Sequence, residues 1–60
     1  MKEVRWITVT EVAEMVGTTR STVEKWMKRG VAPKWRKLPN RRVLFDVRDV
    51  EEWLDSLVVQ

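Results

Sequence analysis

The chain has 60 residues, a net charge of +3, and neither cysteine nor histidine. We expect one domain, residues 1–60, with a small apolar core. The missing residue types exclude disulfide bonds and the usual zinc sites. No apolar run is long enough to cross a membrane and no signal-peptide pattern is present, so we expect a cytoplasmic protein without a membrane partner.

The positive charge is concentrated in the middle of the sequence. Residues 20–42 contain nine Lys and Arg residues and one acid, a net charge of +8, whereas residues 43–60 contain one Arg and five acids, a net charge of −4. Clustered positive charge is typical of a binding site for a polyanion such as nucleic acid. The alternative is an ordinary solvated surface.

Two short helices joined by a tight turn are predicted in the first half of the chain. Thr8 and Glu11 have the spacing of a capping box, and Gly17 suits the left-handed position that ends a helix. Thr19 is the preferred cap of the second helix, and Gly30 ends it. This pattern indicates a helix-turn-helix, whose second helix enters the major groove of DNA.

A basic ribbon and a third helix are predicted after Pro33, which prevents the second helix from continuing. Trp35 and Phe45 mark short extended stretches, and Pro39-Asn40 supplies turn chemistry between them, which predicts a two-stranded hairpin. Asp46 is expected to cap the last helix. The predicted fold class is therefore mostly α with a small β-hairpin, a winged helix-turn-helix with three helices.

Helical spacing and the four tryptophans predict where the core lies. The apolar face of the last helix is formed by Val47, Val50, Trp53, Leu54 and Leu57. Trp26 and Trp53 lie on apolar helical faces and are expected in the core, and Trp6 is expected to cover one end of it. Trp35 is expected to pack against the last helix, and stacking on a base, as in single-strand-binding proteins, is the alternative.

The sequence offers little for catalysis. Without His or Cys there is no ready base, nucleophile or soft metal ligand, and both glycines stand alone rather than in a phosphate-binding loop. The acids of the last helix have the spacing of caps and dipole partners. We therefore expect no enzymatic activity, no cofactor and no metal site.

We call the basic ribbon, residues 35–45, the wing. Candidate DNA contacts lie on the second helix and at the tip of the wing. Cationic and hydroxyl side chains can read base edges or bind phosphates. The candidates on the helix are Arg20, Ser21, Thr22, Glu24, Lys25 and Lys28. The candidates on the wing are Lys37, Asn40, Arg41 and Arg42.

Several of these positions have more than one interpretation. For Lys28, an interaction with the helix dipole or simple solvation stands beside DNA contact. Glu24 is expected to pair with Lys28, four residues further along the helix, and accepting a hydrogen bond from a cytosine is the alternative. In a regular strand the adjacent Arg41 and Arg42 would point to opposite faces, whereas in a turn both would be able to reach DNA.

Two segments resemble a known protein family. They are TVTEVAEMVGTTRSTVEKWMKRGVAP, residues 8–33, and RKLPNRRVLFDVRDVEEWLDS, residues 36–56. Both are similar to the excisionase and AlpA-type small DNA-binding proteins of phages and mobile elements. The winged fold of those proteins is related to the DNA-binding domain of MerR-type regulators. The resemblance covers roughly residues 7–57.

The resemblance implies a winged helix-turn-helix that binds short DNA repeats through the helix and wing positions named above. Excisionases of this type are recombination directionality factors that bend DNA, often bind side by side, and help an integrase to assemble the excision complex. AlpA-like relatives regulate transcription. The sequence shows neither the long dimerisation helix nor the effector domain of MerR-type regulators, so we expect no effector sensing.

Three functions are open at this stage. The first is a non-catalytic phage or mobile-element excisionase, whose partners are double-stranded DNA, an integrase and neighbouring copies of itself. The second is a small transcription regulator with the same DNA-binding surface. The third, from another class, is a protein-interaction module whose basic face meets an acidic partner. Salt-dependent binding to duplex DNA distinguishes the first two from the third.

Overall fold

The computed structural model describes residues 4–59. The elements in chain order are β1 (Trp6–Ile7), α1 (Val9–Val16), α2 (Arg20–Arg29), β2 (Trp35–Lys37), β3 (Val43–Asp46) and α3 (Val47–Ser56). Three helices and a small antiparallel sheet confirm the predicted fold class, a mostly helical chain arranged as a winged helix-turn-helix. No described helix is both long enough and apolar enough to cross a membrane.

The predicted caps define α1. The Thr8 hydroxyl accepts a hydrogen bond from the Glu11 N–H at 3.2 Å, and the Glu11 carboxylate accepts one from the Thr8 N–H at 3.0 Å. Gly17 takes the left-handed conformation with φ 76°, and the Thr18 N–H then donates to the Ala13 carbonyl at 2.9 Å. This Schellman closure ends α1 sharply and starts the turn that leads into α2.

The same logic bounds α2. The Thr19 hydroxyl accepts from the Thr22 N–H at 3.3 Å at the start of the helix. At its end Gly30 has φ 74°, and the Val31 N–H donates to the Trp26 carbonyl at 3.0 Å. Both ends of α2 are therefore fixed by short-range hydrogen bonds, which sets the length of the predicted recognition helix.

The sheet contains one strand more than the sequence predicted. Its strand order is β1-β3-β2, both pairs are antiparallel, and Ile7 of β1 lies opposite Phe45 of β3. On the other side of β3, Trp35 lies opposite Phe45 and Lys37 opposite Val43. The predicted hairpin of β2 and β3 is therefore confirmed, and β1 closes its other edge.

The core lies where α1, α2 and α3 meet the buried face of the sheet. Its buried residues are Ile7, Val9, Val12, Ala13, Val23, Phe45 and Val50. Within α3 the predicted apolar face is wrong beyond Trp53, because Leu54 is 37% and Leu57 52% exposed. α3 packs on β3 and, through Trp53, on the end of α2, so its last turn has little to pack against.

Trp53 joins α3 to the end of α2. Its indole N–H donates a hydrogen bond to the Val31 carbonyl at 2.8 Å. Its ring centroid lies 5.6 Å from that of Trp26, with the ring planes tilted by 45°, a favourable aromatic arrangement. Both rings are half-buried at the edge of the core rather than enclosed in it.

Trp6 does not cover the core as expected. It is 45% exposed, because its strand turns Ile7 inward and Trp6 outward. The guanidinium of Arg36 lies over its ring, 5.3 Å from the centroid. Arg36 also approaches the carboxylate of Asp49 to 3.6 Å, so it connects three elements.

The wing and α3 follow one another directly. β3 ends at Asp46 and α3 begins at Val47. As predicted, Asp46 caps α3, and its side chain accepts from the Arg48 N–H at 2.9 Å.

Candidate nucleic-acid interface

α2 turns its polar side chains away from the core. Val23 is fully buried, and Trp26 and Met27 are half-buried against the core cluster. The opposite side of this helix carries exposed candidates from the sequence, namely Ser21, Lys25 and Lys28. An exposed helical face with one hydroxyl and two ammonium groups has the donors and acceptors needed to read base edges in a major groove.

Thr22 differs from the other candidates on α2 because it is half-buried. Its hydroxyl lies 3.0 Å from the hydroxyl of Thr19, which caps the helix. The structure therefore gives the Thr22 side chain a role in holding the first turn of α2, beside its predicted contact with DNA.

The predicted partner of Glu24 is wrong. Its carboxylate pairs with Arg20, one turn earlier, with 3.5 Å between Oε2 of Glu24 and Nε of Arg20. The spacing of four residues allows either Arg20 or Lys28 as partner. The two side chains are 65% and 49% exposed for Arg20 and Glu24 respectively, so water screens the pair and it adds little stability.

The tip of the wing is a tight loop held by three hydrogen bonds. The Arg41 N–H donates to the Leu38 carbonyl at 2.9 Å, and the Leu38 N–H donates to the Arg42 carbonyl at 2.7 Å. The Asn40 side chain accepts from the Arg42 N–H at 3.1 Å. Arg41 has φ 68°, a left-handed conformation that typically costs a residue other than glycine about 1–3 kcal/mol.

The left-handed turn at Arg41 interrupts the alternation of a strand. As a result Arg41 and Arg42 line the same groove, together with Arg20 and Glu24 of α2. The first turn of α1 contributes Thr10 to this groove. Four of the predicted site residues are thus brought together from α2 and the wing, which are separate in sequence.

The other wing candidates lie outside that groove. Lys37 and Asn40 are exposed, and the Asn40 side chain is used to hold the loop. Arg36, in contrast, is tied to Asp49 and Trp6. Among residues 4–59 no group of three or more His, Cys, Asp or Glu side chains is placed to hold a metal ion.

Trp35, for which stacking on a base was the alternative role, is a candidate surface residue at the edge of this interface. It is 39% exposed and lines a shallow groove with Glu24, Met27 and Lys28 of α2, so the expected packing against the last helix is replaced by a position beside α2. The alternation of Trp35 and Lys37 on one side of β2 was the signal available in the sequence.

Comparison with protein families identifies a matching family. The model of a family described as a helix-turn-helix domain matches residues 6–57 of the chain. A search of curated protein sequences finds no match. The matched region contains α2, the wing and every candidate contact described above.

Proposed function

We infer that this chain, which belongs to the helix-turn-helix domain family, binds double-stranded DNA in a sequence-specific way. From this premise we propose that it is an excisionase of a phage or other mobile element. In this role it bends DNA at its binding sites and helps an integrase to assemble the excision complex. It carries out no reaction itself and needs no cofactor or metal. It acts on the nucleoid, in the cytoplasm.

The observation that carries the DNA-binding part of this proposal is the arrangement of α2 beside the wing. Arg20 of α2 shares a groove with Arg41 and Arg42, and Lys25 and Lys28 are exposed on the same helix. A cationic helix flanked by a cationic loop matches a duplex, in which a major groove is bordered by phosphates.

We assign different tasks to the two parts of this surface. Ser21, Lys25 and Lys28 face outward from α2 and contact base edges, and Arg20 and Thr22 lie in its first turn, close to the border between bases and phosphates. Lys37, Asn40, Arg41 and Arg42 of the wing bind the backbone or enter the minor groove. Glu24 lies between the two parts.

A salt titration tests DNA binding. Each phosphate neutralised by Lys or Arg contributes a slope of about −0.9 to the plot of log K against log salt concentration, so several contacts give a steep line. A chelator is expected to have no effect. A flat salt dependence together with binding to an acidic protein would favour the protein-interaction module instead.

Two variants test the division of tasks. Lys25→Ala is expected to change which base is preferred, by about 1–3 kcal/mol at a contacted base pair. Arg41→Ala is expected to weaken binding to specific and random duplexes by similar factors. Loss of specific and non-specific binding in the same ratio by both variants would show that the tasks are assigned wrongly.

The second candidate function, an AlpA-like transcription regulator, uses the same surface and follows from the same family resemblance. Genomic adjacency to an integrase gene, followed by an excision assay with that integrase, separates the two functions. Stimulated excision supports the excisionase. Repression or activation of a neighbouring promoter, with no effect on excision, supports the regulator.

A further inference from the structure

We propose that the groove between α2 and the wing is a site for one backbone phosphate of the DNA duplex, and that Glu24 is a built-in competitor that occupies part of this site in the free protein. This inference rests on the proposed DNA-binding function and deepens it. It assigns to an acidic residue of the recognition helix a role that weakens binding.

The groove has the chemistry of an anion site. Three arginines line it, Arg20, Arg41 and Arg42, with the hydroxyl-bearing Thr10 beside them. Neither Arg41 nor Arg42 forms an ion pair with an acid among residues 4–59. Guanidinium groups bind phosphate oxygens through paired N–H donors, and three of them exceed the charge of one phosphodiester.

The position of Arg20 indicates that binding, rather than helix stability, is its role. It is the first residue of α2, and no acid lies in the first turn of that helix. A cation at a helix N-terminus is disfavoured by the helix dipole, and a pair in which the acid follows the cation by four residues is the weaker orientation. Arg20 therefore contributes little to the stability of α2 at this position.

In the free protein Glu24 supplies the negative charge in this groove. In the complex a phosphate of the DNA supplies it instead. Its carboxylate lies 3.5 Å from Nε of Arg20 and lines the same groove. A phosphate entering this groove displaces the carboxylate from Arg20 or is repelled by it. The three arginines and Glu24 together carry a local charge of +2. Removal of the charge on Glu24 raises it to +3.

The test is the substitution Glu24→Gln, with Glu51→Gln as the matched control. Glu51 is an exposed acid on α3 that lines none of this groove, so on duplexes too short for a second copy its variant reports the effect of net charge alone. We expect Glu24→Gln to bind both specific and random duplexes about fivefold more tightly, as for one unit charge removed at about 4 Å in water. Glu51→Gln is expected to change affinity by less than about twofold, as for a distant, screened charge.

A second measurement locates the phosphate. Duplexes that carry a single uncharged methylphosphonate linkage are scanned along each strand. At one linkage the advantage of Glu24→Gln is expected to disappear, and at that same linkage Arg42→Ala is expected to cause no further loss. The side chains of Glu24 and Arg42 are exposed, so circular dichroism is expected to show that both variants retain the fold.

Three results would overturn the inference. Weaker binding of Glu24→Gln to the specific duplex alone would show that the carboxylate reads a base. An equal gain in Glu51→Gln would show a general effect of charge. A gain that persists at every methylphosphonate position would show that no single phosphate is involved. Each leaves the proposed function standing, whereas failure of the wild-type protein to bind any duplex would overturn both.

Discussion

The strongest test of the packing is removal of the Trp53 side chain. Trp53 is the contact through which α3 reaches the end of α2, by a 2.8 Å hydrogen bond to the Val31 carbonyl and a ring pair with Trp26. Truncation of a packed Trp to Ala costs about 3–5 kcal/mol. A domain of this size has a free energy of unfolding of about 3–9 kcal/mol, so Trp53→Ala is expected to remove a large part of it and to lower the melting temperature strongly.

A conservative variant separates the parts of this effect. Trp53→Phe keeps an aromatic ring but removes the indole N–H, and the freed Val31 carbonyl lies where water can reach it. The loss is therefore about 1–2 kcal/mol, which lowers the melting temperature by about 4–16 °C in so small a domain. Leu57→Ala, at the C-cap of the same helix, is the matched control. Because Leu57 is 52% exposed, its truncation is expected to cost no more than about 1 kcal/mol.

Far-UV circular dichroism during thermal and urea unfolding measures all three variants. The expected order of destabilisation is Trp53→Ala, then Trp53→Phe, then Leu57→Ala. Normal cooperative melting of Trp53→Ala would refute the packing role of Trp53. A loss in Leu57→Ala equal to that in Trp53→Ala would show that the last turn of α3 belongs to the core after all.

Other variants test the wing and assembly on DNA. Arg41→Gly is expected to raise the free energy of unfolding by about 1 kcal/mol, because glycine adopts a positive φ without strain, while it weakens DNA binding; a lower melting temperature would contradict this. Arg36→Ala and Arg42→Ala each remove one positive charge from the ribbon, but Arg36 is held by Asp49 and Trp6. Arg36→Ala is therefore expected to lower the free energy of unfolding by up to about 1 kcal/mol. Arg42→Ala is expected mainly to lower DNA affinity, and equal effects of the two variants on affinity would count against this separation. The free protein is expected to sediment as a monomer and to bind a three-site duplex more tightly per site than a one-site duplex, through salt-sensitive contacts between the basic wing of one copy and the acidic α3 of the next. A stable dimer without DNA, or equal affinity per site, would exclude this assembly.

Local signals predicted the helices well because the determinants are themselves local. The capping box of Thr8 and Glu11 and the left-handed glycines at positions 17 and 30 act within a few residues, so the sequence contains all that is needed to place them. Asp46 is the same case at the start of α3. The bounds of α1 and α2 and the start of α3 followed from these residues.

Features that depend on distant parts of the chain were not predictable in the same way. β1 has two residues, too few to show a periodicity, and it exists because β3 offers a free edge. Helical periodicity showed which side of α3 is apolar but not how far its neighbours extend, so Leu54 and Leu57 were wrongly placed in the core. For Glu24 the spacing of four residues applies in both directions along α2, and only the structure identifies Arg20 as its partner.

Because β3 runs directly into α3 without a linker, the wing and α3 are expected to move together. No residue separates Asp46 from Val47, the cap at Asp46 fixes the angle of the junction, and the contact between Arg36 and Asp49 braces it from the neighbouring strand. A tilt of the wing on bound DNA is therefore expected to be transmitted to α3. If the proposed DNA bending occurs, we therefore expect the acidic side chains of α3 to shift with the bend, so that a neighbouring copy would meet a different surface on bent and on straight DNA.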